Sequence, residues 1–118
     1  MNLKIKLSNA QLQAWKDFIC ICWERSYQAG LGNLANKTLR LWMCTGLYDY
    51  RMYLIKRIAA TSSSALKVKK PKKYSVNVPL QIFIIIHLME ESPQTGLIST
   101  LIHELSSQVS ELESGLPD

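Results

Sequence analysis

Two short stretches of the chain hold polar side chains at every second position. Asn2, Lys4 and Lys6 alternate with Leu3, Ile5 and Leu7, and Lys73, Ser75 and Asn77 alternate with Tyr74, Val76 and Val78. Ammonium, amide and hydroxyl groups set in a row donate hydrogen bonds, and the amides and hydroxyls also accept them. That chemistry suits recognition of a polar, anionic surface rather than the breaking of bonds. Just upstream of the second row, Lys67, Lys69, Lys70, Lys72 and Lys73 crowd around Pro71. This run reads as a solvated, solubilising linker, as a phosphate-binding arm or as a localisation signal.

Catalytic constellations are not found. The two histidines lie apart. His87 sits inside an apolar run and reads as a core residue, while His103 stands beside Glu104, where neighbouring helical positions diverge. The chain contains no Cys-x-x-Cys, phosphate loop, nucleophile elbow or paired-carboxylate motif. Cys20, Cys22 and Cys44 are an odd number, and Cys20 and Cys22 point apart on a helix, so all three read as reduced and mostly core. The expectation is a protein that is not an enzyme, with no cofactor, no metal and no small-molecule substrate.

The net charge of +5 is unevenly distributed. Residues 1–78 hold all fourteen Lys and Arg with only Asp17, Glu24 and Asp49, whereas residues 79–118 hold six acids and no Lys or Arg. A basic portion points to nucleic acid or another acidic partner, and the acidic tail argues against one uniformly basic slab. The longest apolar run, Leu80 to Met89, is far short of the roughly 20 residues that cross a bilayer, so no membrane is implicated. The opening MNLKIKLS has no apolar signal region, which reads as an intracellular, cytoplasmic chain.

The elements that must position these residues follow from periodicity and punctuation. The alternating stretches read as strands over residues 2–7 and 73–78. Ser8 with Gln11 three residues on has capping-box spacing. The helix it opens carries Leu12, Trp15, Ile19, Cys22 and Ser26 on one stripe, widened by Phe18 and Trp23, and ends before Gly30 and Gly32. A second helix is expected from about Leu34 to about Ala60, where Leu34, Leu41, Thr45, Tyr48, Met52 and Ile55 recur at helical spacing. Inside it, Gly46 marks a close contact or a kink. Thr61-Ser62-Ser63-Ser64 reads as a polar break. Pro79 ends the second strand and starts a helix over 80–91, buried almost all round. A last helix over 95–112 has Leu97, Ile98, Leu101, Ile102, Leu105, Val109 and Leu112 as its apolar stripe.

The order strand, helix, turn, helix thus occurs twice, over residues 1–60 and 73–118, joined by a Ser/Lys-rich linker over 61–72. The expected fold is mainly α with a small two-stranded antiparallel β-ribbon: two strand-helix-helix units around one shared core. The apolar sides of the strands would face four helices, and Asn2, Lys4, Lys6, Lys73, Ser75 and Asn77 would stand out together.

The pattern resembles the ribbon-helix-helix family of DNA-binding proteins, here as a tandem, single-chain pseudo-dimer. The resemblance is carried by K-Y-S-V-N-V-P followed by a short helix, a turn and a second helix, echoed by N-L-K-I-K-L-S at the start. It implies that the ribbon enters the major groove of double-stranded DNA, with Asn2, Lys4, Lys6, Lys73, Ser75 and Asn77 towards the bases. It also implies phosphate contacts at the starts of the second helices: Asn36, Lys37 and Thr38 in the first unit, Gln94 and Thr95 in the second. A transcriptional regulator or antitoxin-like component is the implied role, with Lys67, Lys69, Lys70 and Lys72 adding phosphate contacts. Glu90 and Glu91 would repel phosphate near the second grip. The competing reading of the same features is a non-enzymatic protein–protein adaptor or assembly subunit, associating with itself or a larger partner, that binds no nucleic acid.

Overall fold

The computed structural model of the protein describes residues 2–27, 37–65, 73–89 and 96–115. Among these described residues, two strands, β1 (Asn2–Leu7) and β2 (Tyr74–Pro79), and four helices, α1 (Asn9–Tyr27), α2 (Lys37–Ala65), α3 (Leu80–Leu88) and α4 (Gly96–Ser114), run in the order β1-α1-α2-β2-α3-α4. The fold is mainly helical with one two-stranded antiparallel sheet, the class expected from sequence.

The strands pair with Leu3 opposite Val78, Lys4 opposite Asn77, Ile5 opposite Val76 and Lys6 opposite Ser75. Alternation dictates the outcome. Leu3, Ile5, Leu7, Val76 and Val78 are buried, Tyr74 is half-buried, and Asn2, Lys4, Lys6, Ser75 and Asn77 are exposed. Buried residues of both strands and all four helices join in one core. Pro79 differs from expectation by one position. It is the last strand residue as well as the N-cap of α3, with φ −57° and ψ 142°. Lacking an N–H, it closes a strand without leaving a donor unmet.

The capping box forms as read. The Ser8 N–H donates to Gln11 Oε1 (2.9 Å), and the Gln11 N–H donates to Ser8 Oγ (3.3 Å). Leu12, Trp15, Ile19, Cys22 and Ser26 of α1 are all buried. The three cysteines are free thiols, Cys22 buried, Cys20 and Cys44 half-buried.

Helix α2 corrects the sequence reading twice. Its core-facing residues are Met43, Leu47, Tyr50 and Leu54. The series Leu41, Thr45, Tyr48, Met52 and Ile55 lies on the opposite side, where Leu41, Tyr48 and Ile55 are exposed. The helix also runs through the Thr-Ser-Ser-Ser stretch to Ala65. Thr61 is buried there, donating to the Ile58 carbonyl (3.2 Å) and accepting from Asn9 Nδ2 (3.0 Å). These contacts override weak helix propensity.

Gly46 permits the close approach of α2 to α3. A Cβ at that position would lie 2.6 Å from Gln81 Nε2 and 3.2 Å from Ile85 Cδ1. Helix α3 is shorter and less enclosed than its apolar sequence suggests. Ile82, Phe83, Ile85 and Ile86 are buried, while Ile84, His87 and Leu88 are exposed. Two and a half turns against one core have an outer side whatever their composition. His87 is therefore a surface residue, edge-on to Phe83 (ring centroids 4.4 Å apart), not a core histidine. In α4, Ile98, Leu101 and Leu105 are buried, Leu97, Ile102 and Val109 pack at the margin, and Leu112 is exposed. No helix among the described residues is long and apolar enough to cross a membrane.

Candidate functional site

Each strand of a two-stranded ribbon has one edge without a strand partner, and its N–H and C=O groups must be met from elsewhere. On β1, the side-chain amide of Gln108 from α4 meets both groups of Lys4. The Lys4 N–H donates to Oε1 (3.1 Å) and Nε2 donates to the Lys4 carbonyl (2.7 Å). On β2 the partners come from α2. Tyr53 Oη accepts from the Asn77 N–H (3.2 Å), Tyr50 Oη donates to the Asn77 carbonyl (2.8 Å), and Arg57 Nη2 donates to the Ser75 carbonyl (2.9 Å). These outward bonds make Lys4 and Asn77 a pair without mutual hydrogen bonds, the arrangement that brings side chains closest across an antiparallel ladder.

Tyr50 is the hub of the β2 edge. Its oxygen also accepts from Trp15 Nε1 (2.9 Å), and its ring stacks on Tyr53 at 5.7 Å and 18°. Burial pushes the Tyr50 phenol well above the ordinary tyrosine value. The Trp15 hydrogen bond opposes that rise and neighbouring Tyr53 adds to it. The hydroxyl therefore keeps its proton and serves as donor to the strand.

The outer face of the ribbon brings together Asn2, Lys4, Lys6, Ser75 and Asn77, with exposed Lys73 one residue before β2. Among the described residues, no carboxylate lies within ion-pair distance of Lys4 or Lys6. The flanks differ in sign. Lys56 and Arg57 are on the α2 side, whereas Glu104 and Glu111 share with Gln108 the α4 side by their i, i+4 and i+7 spacing. Beyond the Asn2–Pro79 end, a cleft of about 350 Å³ is lined by Asn2, Asn77 and Gln81 amides, Asp49 and Tyr53.

Other predicted contacts are not gathered here. Thr38 is exposed at the start of α2, twelve residues before Tyr50 and so roughly 18 Å along the helix axis from the nearest ribbon contact. Lys37 is the first residue of the same helix. Asn36, Lys67, Lys69, Lys70, Lys72, Gln94 and Thr95 lie outside the described residues, as do Glu90 and Glu91. Sequence reasoning missed the residues that hold the ribbon's edges: Tyr50, Tyr53 and Arg57, and Gln108. The first three had a signal, since i, i+3 and i+7 share a helix side. Gln108 had none beyond being the one glutamine in α4. No known protein family, curated protein or solved structure matches the chain.

Proposed function

We propose that the protein binds double-stranded DNA through the outer face of the β1/β2 ribbon, as a small regulator of ribbon-helix-helix type. The observation that carries this reading is the register. It sets Lys4 beside Asn77 and Lys6 beside Ser75 on one solvent-facing surface, with the apolar alternates in the core. A two-stranded ribbon fits the major groove, about 12 Å wide. There the amide of Asn77 is suited to an adenine edge, and Lys4 and Lys6 to guanine edges or phosphates. The repeated order strand, helix, helix supports a tandem, pseudo-dimeric reading of the chain. Because α2 and α4 both flank the ribbon, the groove contact is shallow. The carboxylates on α4 turn phosphate contacts towards the α2 side, where Arg57 and Lys56 lie.

The test is fluorescence anisotropy of a labelled duplex pool at low and moderate salt, for wild type and for Lys4→Ala with Lys6→Ala. The double variant is expected to bind more weakly and to lower the salt slope by about two, about one for each phosphate that a lysine no longer neutralises. Unchanged binding and slope would remove the ribbon as the contact surface.

A second reading, a protein–protein assembly subunit, has its own observation in the exposed apolar side chains Leu41, Trp42, Tyr48, Ile55, Ile84 and Leu88. It predicts no duplex affinity at physiological salt beside a stable complex.

A further inference from the structure

Helix α2 carries five cations, Lys37, Arg40, Arg51, Lys56 and Arg57, and a single acid, Asp49. Asp49, Tyr50 and Tyr53 fall on one side of that helix, because positions three and four apart are neighbours. They form one wall of the cleft of about 350 Å³ at the Asn2–Pro79 end of the ribbon. Asn2 and Asn77 from the strands and Gln81 from α3 complete its polar lining. Among the described residues, no lysine, arginine or histidine lines it. Lys4, which pairs with Asn77 across the ribbon, is not a lining residue. Among the described residues, no cation is within ion-pair distance of the Asp49 carboxylate, and the side-chain amides of Asn2, Asn77 and Gln81 make no hydrogen bond within the protein. The residues one turn from Asp49 on α2, namely Thr45, Gly46, Met52 and Tyr53, bring no compensating charge.

We propose that this cleft binds a guanidinium group, borne by a small organic cation or by an arginine side chain. A guanidinium is a planar fork of five donors and needs acceptors in several directions. The Asp49 carboxylate offers two oxygens for a bidentate pair, and the three amide oxygens and Tyr53 Oη are further acceptors around it. The rings of Tyr50 and Tyr53, stacked at 5.7 Å, add the attraction of a cation to an aromatic face. An anion would meet a carboxylate and no cation. An ammonium, a compact point charge, would engage fewer of these acceptors. At about 30 Å³ per water-sized atom, the cleft holds roughly a dozen non-hydrogen atoms, which suits a guanidinium on a short alkyl stem. The whole chain has a net charge of +5, so a cation gains no general attraction and is held by the local groups. This inference is independent of the DNA reading, since it needs no nucleic acid and its test contains none.

Titration of the ¹⁵N-labelled full chain with n-butylguanidinium, followed by NMR, tests it, with n-butylurea as the uncharged isostere. Saturable shifts are expected at the side-chain amide resonances of Asn2, Asn77 and Gln81, with a Kd on the order of millimolar. n-Butylurea is expected to bind at least about tenfold more weakly, and Asp49→Asn to weaken n-butylguanidinium by at least about tenfold. Asp17→Asn, at an exposed acid on α1, is expected to change nothing. Asp49 is exposed, and far-UV circular dichroism checks that its variant keeps the fold. A short capped peptide with one arginine separates the two sources. Binding at least as tight as that of n-butylguanidinium assigns the cleft to an arginine side chain, and weaker binding assigns it to a free cation. Absence of saturable shifts at the three amides would overturn the proposal. So would equal affinity for n-butylurea, wild-type binding by Asp49→Asn, or an equal loss in Asp17→Asn.

Discussion

Replacing Tyr50 by Phe removes one hydroxyl and two hydrogen bonds, from Trp15 Nε1 (2.9 Å) and to the Asn77 carbonyl (2.8 Å). The costs are unequal. Asn77 is exposed, so water replaces its missing donor at small expense. Trp15 is fully buried, and its indole N–H is left without that acceptor. An unmet buried donor costs about 1–3 kcal/mol, which dominates the total. With a urea slope of about 1–3 kcal/mol per molar, the midpoint should fall by roughly 1 M. Urea titration followed by circular dichroism reads this directly. A second arm uses pH. The folded-state value of the Tyr50 phenol is raised by burial. Its contribution is thus complete below the unfolded tyrosine value of about 10 and is lost as pH rises beyond it, with a slope of up to about 1.4 kcal/mol per pH unit. Wild type should destabilise progressively above about pH 10, and the variant should lack this share of the slope. A destabilisation of less than about 0.5 kcal/mol would refute the relay, since it would mean that Trp15 does not depend on Tyr50.

Three further outcomes are expected. Gln108→Ala should cost only about 0.5–1.5 kcal/mol, because the Lys4 amide and carbonyl are at the surface, but hydrogen exchange at the Lys4 amide should accelerate well beyond that of Ile5. Ser8→Ala should lose about 0.5–2 kcal/mol in thermal or chemical unfolding, by stripping the cap from α1. Gly46→Ala gains about 1 kcal/mol of helix propensity and requires the end of the Gln81 side chain to swing away, so its effect on the urea midpoint should be small. Gly46→Leu has no such escape from Ile85 and should cost about 1–3 kcal/mol.

The strands were legible because a period of two leaves no freedom: once Leu3, Ile5 and Leu7 face inward, Lys4 and Lys6 must face out. The stripes of α1 and α4 were legible for a similar reason, each having one apolar side. Helix α2 was not. With Leu41, Tyr48 and Ile55 on one side and Met43, Leu47, Tyr50 and Leu54 on the other, periodicity proposes two candidate faces and cannot choose between them. Helix α3 failed differently, since an unbroken apolar run hides which residues the core will reach; Ile84, His87 and Leu88 are on the outside. Of the candidate site, the outward side chains could be read, but the groups that hold its edges could not. Lys4 and Gln108 are 104 positions apart, and only the closed fold brings them together.

The edge bonds from Gln108, Tyr53, Tyr50 and Arg57 have a consequence for how this chain behaves in a crowded solution. A bare strand margin invites another chain to zip onto it, and repeated zipping leads towards fibrils. Here a newcomer would first have to dislodge an amide clasp on one border and a guanidinium and two phenols on the other. The miniature sheet is thereby kept at two strands.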